Sequence, residues 1–347
     1  VGVLGDLLAP ARRGQLDEEN RAEQERLRQL HEERSRRPLL PYAAASANRA
    51  ILEFAQDELP APRFTGTRSV EPTLETLREY IDWTFFFHAW ELKGRYPGIL
   101  EQPAARELFA DATRLLDEIV ASSSLDARGV YGFWPAAADG NDIVLELERF
   151  PMLRQQAAFG DSRPNRSLAD FVAPTDSSIV DHVGGFAVAV HGAAALATRF
   201  EEEHDDYHAI MVRALADRLA EAFAEWLHER ARREWYESGE PLSAEELVAE
   251  KYRGIRPAFG YPACPDHSEK RRLFALLEAG SAGLELSESC AMVPAASVSG
   301  LYLGHPEARY FAIGRIGRDQ VEDYSRRKHI DLAEAERWLR PNLAYDA

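Results

Sequence analysis

The densest concentration of chemistry in this sequence is the run Arg256-Pro257-Ala258-Phe259-Gly260-Tyr261-Pro262-Ala263-Cys264-Pro265-Asp266-His267. Its prolines and glycine fix the path of the chain, because each proline ring sets φ and removes a backbone donor. Along that path stand one guanidinium and one phenol, with backbone donors and acceptors between them. Such a rim suits a polar, planar ligand, since the fork of arginine N–H groups matches a carboxylate. A Pro-rich connection that only places the following helix is the simpler alternative, and pattern alone favours it, because pockets are few per protein. Cys264 and His267 also form C-x-x-H, half of a zinc site, but no second half exists at suitable spacing, so metal binding is not expected. His204, Asp205, Asp206 and His208 cluster where a long helix begins, and acids there favour the helix dipole. Neither a G-x-S-x-G elbow nor a P-loop occurs, which leaves hydrolase and nucleoside triphosphatase chemistry without support.

Bulk properties narrow the field of partners. At 347 residues the chain exceeds a typical single core, so one large domain with an arm, or two lobes, is expected. Hydrophobic residues make up 45% and charged residues 29%, which places it among globular proteins rather than disordered ones. With 58 acidic against 41 basic residues the formal charge is -17, which opposes attachment to nucleic acid or to an anionic membrane. A small ligand or a protein partner fits better. Two cysteines, Cys264 and Cys290, are too few for a disulfide framework and point to a reducing cytoplasm. No apolar run approaches the ~20 residues of a membrane span. The first residue is Val1 rather than methionine, which raises the expectation of a piece of a longer protein that shares its function with other segments.

The elements that must position the loop can be read from periodicity. Leu16 to Arg37 is rich in Glu, Arg and Gln with few apolar positions and predicts an exposed helix. The prolines from Pro38 to Pro62 predict a linker with a short helix near Ala50 to Phe54, and the body is expected to begin near Ser69. Leu74, Leu77, Tyr80, Ile81 and Thr84 repeat as one helix face, and a second helix is predicted over Ala104 to Ala121. Tyr131 to Trp134 and Ile143 to Leu147 read as strands around the turn Asp139-Gly140-Asn141. From about Tyr207 to Trp235, Met211, Leu215, Leu219, Phe223 and Leu227 recur every four residues in a long amphipathic helix. Ser243 with Glu246, Asp266 with Glu269 and Asp331 with Glu334 match capping boxes that start further helices. Val298 to Leu303 and Tyr310 to Ile316 read as antiparallel strands joined through Gly304 to Glu307. No βαβ alternation and no glycine fingerprint after a strand is present, so the expected class is α+β: a twisted antiparallel sheet framed by helices, with a helical N-terminal arm, and not a Rossmann fold.

The loop and its companions resemble one family. Arg256, Gly260 and Tyr261 form an R-x-x-x-G-Y element similar to that of the C-terminal reactivation region of cobalamin-dependent methionine synthases. The similarity extends through Tyr80-Ile81-Asp82-Trp83, Ala216-Asp217-Arg218-Leu219-Ala220-Glu221-Ala222-Phe223-Ala224-Glu225, Glu288-Ser289 and Arg318-Asp319-Gln320-Val321-Glu322-Asp323-Tyr324. It closes with Glu336-Arg337-Trp338-Leu339 and Asn342-Leu343-Ala344-Tyr345-Asp346. Several motifs in order are more specific than one, and they cover nearly the whole chain. In this light residues 1–68 resemble the arm that follows a cobalamin module, and residues 69–347 the S-adenosylmethionine-binding domain.

That resemblance implies a site and a task. The site would hold S-adenosylmethionine, with Arg256 on the α-carboxylate, a planar acceptor for its donors. Asp82, Glu221 and Glu250 match acidic positions that would face the ammonium and sulfonium charges. Ala258 and Tyr261 would border the adenosine through main-chain groups, and Tyr310 and Phe311 would supply an aromatic pair near the cation. Singly, each of these has a plain alternative as a cap, a solvated charge or a sheet residue. Phe259 and Phe85 stand where the family has proline, which predicts a looser loop, and Cys290 and Val293 replace bulkier residues. The D-x-H-x-x-G element of cobalamin modules is absent, so cobalamin must come from another module of the same polypeptide. The implied activity is that of a methyltransferase domain: reductive methylation of cob(II)alamin to methylcobalamin, with an electron from flavodoxin or a flavoprotein reductase. Because such donors are acidic, Arg315, Arg318, Arg326, Arg327 and Lys328 are the expected docking patch. Two other readings remain open at this point, a module that senses S-adenosylmethionine without transferring its methyl group and a scaffold that binds no ligand.

Overall fold

The β-branched and aromatic residues Val130, Tyr131, Phe133 and Trp134 favour the strand on which the molecule is organised, β2 (Asp126–Asp139). The computed structural model describes residues 9–36, 38–146, 148–160, 163–237 and 251–347. Within them β2 pairs with β5 (Asp181–His191) along its full length, and β5 pairs in turn with β8 (Ser297–Leu303). On its other edge β2 carries β1 (Gly66–Val70) and then the hairpin strand β3 (Asp142–Leu145), followed by β4 (Arg149–Pro151). Every pairing in this sheet is antiparallel. A separate small ladder joins β6 (Glu285–Leu286) and β7 (Met292–Val293).

The described helices are α1 (Pro10–Arg36), α2 (Tyr42–Ala47), α3 (Leu74–Arg78), α4 (Trp83–Ala89) and α5 (Pro103–Ser122) in the first part of the chain. After β5 come α6 (Ala193–Glu202), α7 (Asp206–Trp235), α8 (Lys270–Leu277), α9 (Arg318–Lys328) and α10 (Leu332–Leu339). The period of two sorts β5 cleanly. Phe186, Val188 and Val190 point into a core with α5 and α7, while Val183, Ala187 and Ala189 enter a second core with α8 and Phe150. A third, smaller cluster ties Ile316 to α9 and α10 through Val321, Tyr324 and Leu339. The architecture is the expected α+β class, an antiparallel sheet with helices on its faces.

Glycines in β5 let the aromatic layer lie directly on the sheet. A Cβ built on Gly184 would stand 2.9 Å from Phe133 Cδ1 and 2.9 Å from Tyr302 Cδ2. Gly184→Ala must therefore displace rings that are fully buried, and it should destabilise the chain by about 1–3 kcal/mol. The check is the midpoint of a urea unfolding curve, and an unchanged midpoint would remove the argument.

Several expectations are corrected. The segment 50–54 forms no helix; the helix is α2, started after Pro41 and ended at Asn48, while Phe54 instead meets His305 edge-on at 4.8 Å. The face read from Leu74 to Thr84 is split into α3 and α4, because Thr73 and Asp82 each cap a new helix start. Tyr310 to Ile316 is not a strand, since the free edge of β8 is taken by Ile255 and Pro257. Asp266 caps through Ser268 N at 2.8 Å rather than by a reciprocal box with Glu269. The pair Ser243 and Glu246, and Leu147, lie outside the described residues. The proline-rich stretch is also more firmly attached than a linker. Leu40 N donates to Gln156 O at 2.8 Å, Asn48 Nδ2 to Asn165 Oδ1 at 2.7 Å, and Trp235 Nε1 to Pro60 O at 3.0 Å.

Two members of the basic run on α9 face inward. Lys328 is buried against Asp266 and Glu269, and Arg327 is drawn onto Asp142 and Asp323, so neither belongs to a surface patch. Arg326 and Arg318 stay exposed, each beside an acid of its own helix, Asp323 and Glu322. Arg327 and Lys328 thus anchor α9 to the body, while Arg318 and Arg326 remain at the surface.

Candidate functional site

Arg256 owes its direction to β8. Ile255 and Leu303 exchange backbone hydrogen bonds at 3.0 Å, and Leu301 N donates to Pro257 O at 2.9 Å. The segment therefore continues the sheet for three residues. Ile255 and Pro257 turn into the second core, and Arg256, one residue out of step, emerges on the opposite face toward α7.

There the guanidinium meets a polar stripe. Arg256 Nη2 pairs with Glu225 Oε2 at 2.5 Å, and Nη1 lies 3.1 Å from His228 Nδ1 and 3.3 Å from Tyr252 Oη. Burial works against the Arg256 charge, but the Glu225 carboxylate and the Tyr252 and Tyr310 hydroxyls more than offset it, so its pKa is raised. The backbone N–H of Arg256 donates to Tyr310 Oη at 3.0 Å, which brings a second expected residue to the site.

Beyond Arg256 the loop folds on itself. Tyr261 N donates to Ala258 O at 3.1 Å, Gly260 N to Cys264 O at 2.8 Å, and Cys264 Sγ to Ala258 O at 3.0 Å. Gly260 has φ +94, and a Cβ there would fall 2.1 Å from the His267 ring, so only glycine permits this turn. Phe259, expected to loosen the loop, instead anchors it: the ring is 2% exposed and stacks on Phe150 at 5.7 Å. Tyr261 is 61% exposed at the rim, and its hydroxyl pKa is raised by burial and by Glu221, against the pull of Arg218.

The segment that bears Asp82 is pinned to α7 at two points. Tyr80 Oη donates to Glu229 Oε2 at 2.7 Å, and the Arg218 guanidinium lies 5.8 Å from the Phe85 ring. Asp82 sits between these pins in sequence and accepts from Thr84 N at 2.8 Å as the cap of α4. Arg218, Glu221, Glu225 and Glu229 lie at spacings of three and four on α7, so the stripe faces both the loop and the Asp82 segment. Phe311 turns away from this stripe and packs on Phe171 at 6.3 Å. Glu250 lies outside the described residues.

Sequence reasoning passed over Glu225, His228 and Tyr252 as partners of Arg256. The signal was present, since 218, 221, 225, 228 and 232 form a polar row along a helix whose other face is apolar. Two further clusters prove structural. Asp205 caps α7, accepts from His208 N at 3.1 Å and pairs with His208 Nδ1 at 2.7 Å. A cavity of about 420 Å³ lies elsewhere, between α2 and the β2–β3 turn, lined by Tyr42, Asn141, Arg149, Arg154 and Arg327. Arg149, Arg154 and Arg327 there are ion-paired within the protein, Arg149 and Arg327 to Asp142 and Arg154 to Asp170. Among the described residues no group of three His, Cys, Asp or Glu side chains is arranged to hold a metal ion, and no helix is long and apolar enough to cross a membrane.

The arrangement can grip a zwitterion, with a guanidinium on one side and a row of carboxylates on the other. The chain is similar to a solved crystal structure of the MetH reactivation domain bound to AdoHcy, with 48% sequence identity and a TM-score of 0.86, over 89% of this chain and 100% of that one. A family profile described as vitamin B12 dependent methionine synthase, activation domain, matches residues 73–329, from the cap of α3 through the end of α9. This chain therefore belongs to the activation-domain family of the vitamin B12 dependent methionine synthases, which are methyltransferases.

Proposed function

We propose that this domain holds S-adenosylmethionine, or its demethylated product S-adenosylhomocysteine, against the α7 stripe and presents the methyl group to a cobalamin carried by another module. The observation that carries this reading is Arg256, whose guanidinium is fixed between Glu225 and His228 at the α7 stripe while its backbone N–H meets the Tyr310 hydroxyl. The amino-acid end of the ligand is a carboxylate beside an ammonium; Arg256, paired with Glu225, would take the carboxylate, and Glu221 and Asp82 would join Glu225 in facing the ammonium. Glu250 joins that acidic set in the same reading. Ala258 and Tyr261 border the adenosine, and Tyr310 supplies the aromatic side, while Phe311 packs behind it on Phe171. Residues 1–68 serve as the arm and residues 69–347 as the binding domain.

The residues present are consistent with methyl transfer that needs no protein base, because a sulfonium is already an excellent leaving group. Cobalamin, when docked, supplies the cobalt that takes the methyl group; this chain binds, orients and shields the donor. Flavodoxin or a flavoprotein reductase supplies the electron. Cys264 and Cys290 are free, buried thiols, which fits a reducing cytoplasm.

Two readouts test this. S-adenosylhomocysteine should raise the stability of the chain with dose, by about 2.7 kcal/mol at a hundred times Kd. No stabilisation would leave a scaffold. With the cobalamin module and either reduced flavodoxin or a chemical reductant, methyl label from S-adenosylmethionine should arrive on cobalt. Label that stays on the donor while the ligand still stabilises the chain would reduce the domain to a sensor, and transfer with the chemical reductant alone would remove flavodoxin from the scheme.

A further inference from the structure

His228 is fully buried, and none of the expected ligand contacts accounts for it. Its Nδ1 lies 3.1 Å from Arg256 Nη1. A guanidinium has donors only, so Nδ1 must be the acceptor and the ring proton must sit on Nε2. Nε2 itself has no hydrogen-bond partner among the described residues. The ring is held on both sides: it stacks on Tyr302 at 5.2 Å with an interplanar angle of 4°, and meets Tyr252 edge-on at 4.9 Å. Tyr302 stacks in turn on Phe186 of β5 at 4.7 Å, so the imidazole is fixed to the sheet as well as to α7.

The groups around the ring determine its charge. Arg256 approaches from the loop and Arg232 from the next turn of α7, while Tyr252 and Tyr302 offer neutral hydroxyls. Burial, with these two guanidiniums beside it, pushes the His228 pKa well below the ordinary histidine value. The imidazole is neutral and keeps its lone pair for Arg256. Glu225 therefore supplies the opposite charge, and His228 supplies direction.

We propose that His228 is a positioning residue for ligand binding: by accepting from Nη1 it ties that end of the Arg256 guanidinium to α7 and leaves the Nε edge for the carboxylate of the bound amino acid. The proposal rests on the reading of Arg256 as the carboxylate-binding group. It assigns His228 no contact with the ligand itself.

The test titrates the 347-residue chain and its variants with S-adenosylhomocysteine and with methylthioadenosine, which keeps the adenosine and thioether but lacks the amino-acid end. His228→Leu should lose about tenfold or more in affinity for S-adenosylhomocysteine. Its affinity for methylthioadenosine should stay the same. His228→Asn places an amide oxygen near the Nδ1 position and should recover most of the loss, whereas His228→Gln reaches the Nε2 position and should recover less. Equal losses for both ligands would mean a merely structural role, and no loss for S-adenosylhomocysteine would mean no role; either overturns the proposal. Should the leucine variant fail to fold, identical affinities in the Asn and Gln variants overturn it as well. Arg256→Ala, measured alongside, separates the two levels. If it binds S-adenosylhomocysteine normally, the parent reading fails; if it binds weakly while His228→Leu binds normally, only the present proposal fails.

Discussion

Arg256→Ala should lower S-adenosylhomocysteine affinity by at least about a hundredfold while the domain stays folded. Two effects combine in that number. The fork that would hold the ligand's carboxylate is gone, and Glu225, 17% exposed and until then neutralised, now repels the incoming carboxylate. The fold should survive because the neighbouring backbone is held by bonds that do not involve the side chain, from Ile255 to Leu303 and from Leu301 to Pro257. Arg256→Lys should rescue little, since an ammonium cannot keep Glu225, His228 and a ligand at once with the geometry of a planar fork. Calorimetric titration beside a circular-dichroism melt makes the check. Affinity within a few-fold of the unaltered chain would end the assignment of this loop as the ligand's anchor.

The largest effect on stability is expected at a residue far from the ligand. Arg154 is 1% exposed and spends every donor of its guanidinium inside the protein. Nη1 and Nη2 form a fork on Asp170 at 2.8 and 2.6 Å, Nε and Nη2 reach Asn141 Oδ1 at 2.9 and 2.5 Å, and Nη1 also donates to Asn165 O at 2.6 Å. Its own backbone exchanges two further bonds with the Gln320 side chain of α9, at 2.7 and 2.9 Å. Arg154→Met should therefore cost about 3–5 kcal/mol, because it strands a buried carboxylate. Arg154→Met with Asp170→Leu should lose less than the sum of the two single changes, since it removes the stranded charge too. Urea unfolding of the four proteins measures this coupling, and strict additivity would refute it.

Much of this architecture was legible from the residues alone, and the parts that were not share a cause. α5 and α7 have one apolar face each, so their period shows in the sequence. β5 does not alternate, because both of its faces are buried, and Gly184-Gly185 in its middle resembles a break. Tyr310 to Ile316 has the composition of a strand but no free ladder to join, because Ile255 and Pro257 occupy the edge of β8. Competition for an edge is a tertiary fact that no local pattern contains. In the site, Arg256 and its loop could be found by resemblance, whereas Glu225 and His228 look like ordinary helix charges until Arg256 is placed above them. Phe259 was misjudged for a similar reason: without proline the loop lacks covalent stiffness, but the stacked Phe150 replaces it.

The polar row on α7 has one more implication. From Arg218 to His228 the helix climbs about 15 Å, at a fixed rise for each residue. A single rigid rod thus fixes the distance between Glu225, which meets Arg256, and Arg218, which meets the Phe85 ring, in the manner of a graduated scale. Lengthening a bound molecule by one methylene would push one of its ends off its mark, and no side chain could slide along the rod to compensate. In the proposed site, selectivity for tail length would in that sense be a matter of helical pitch.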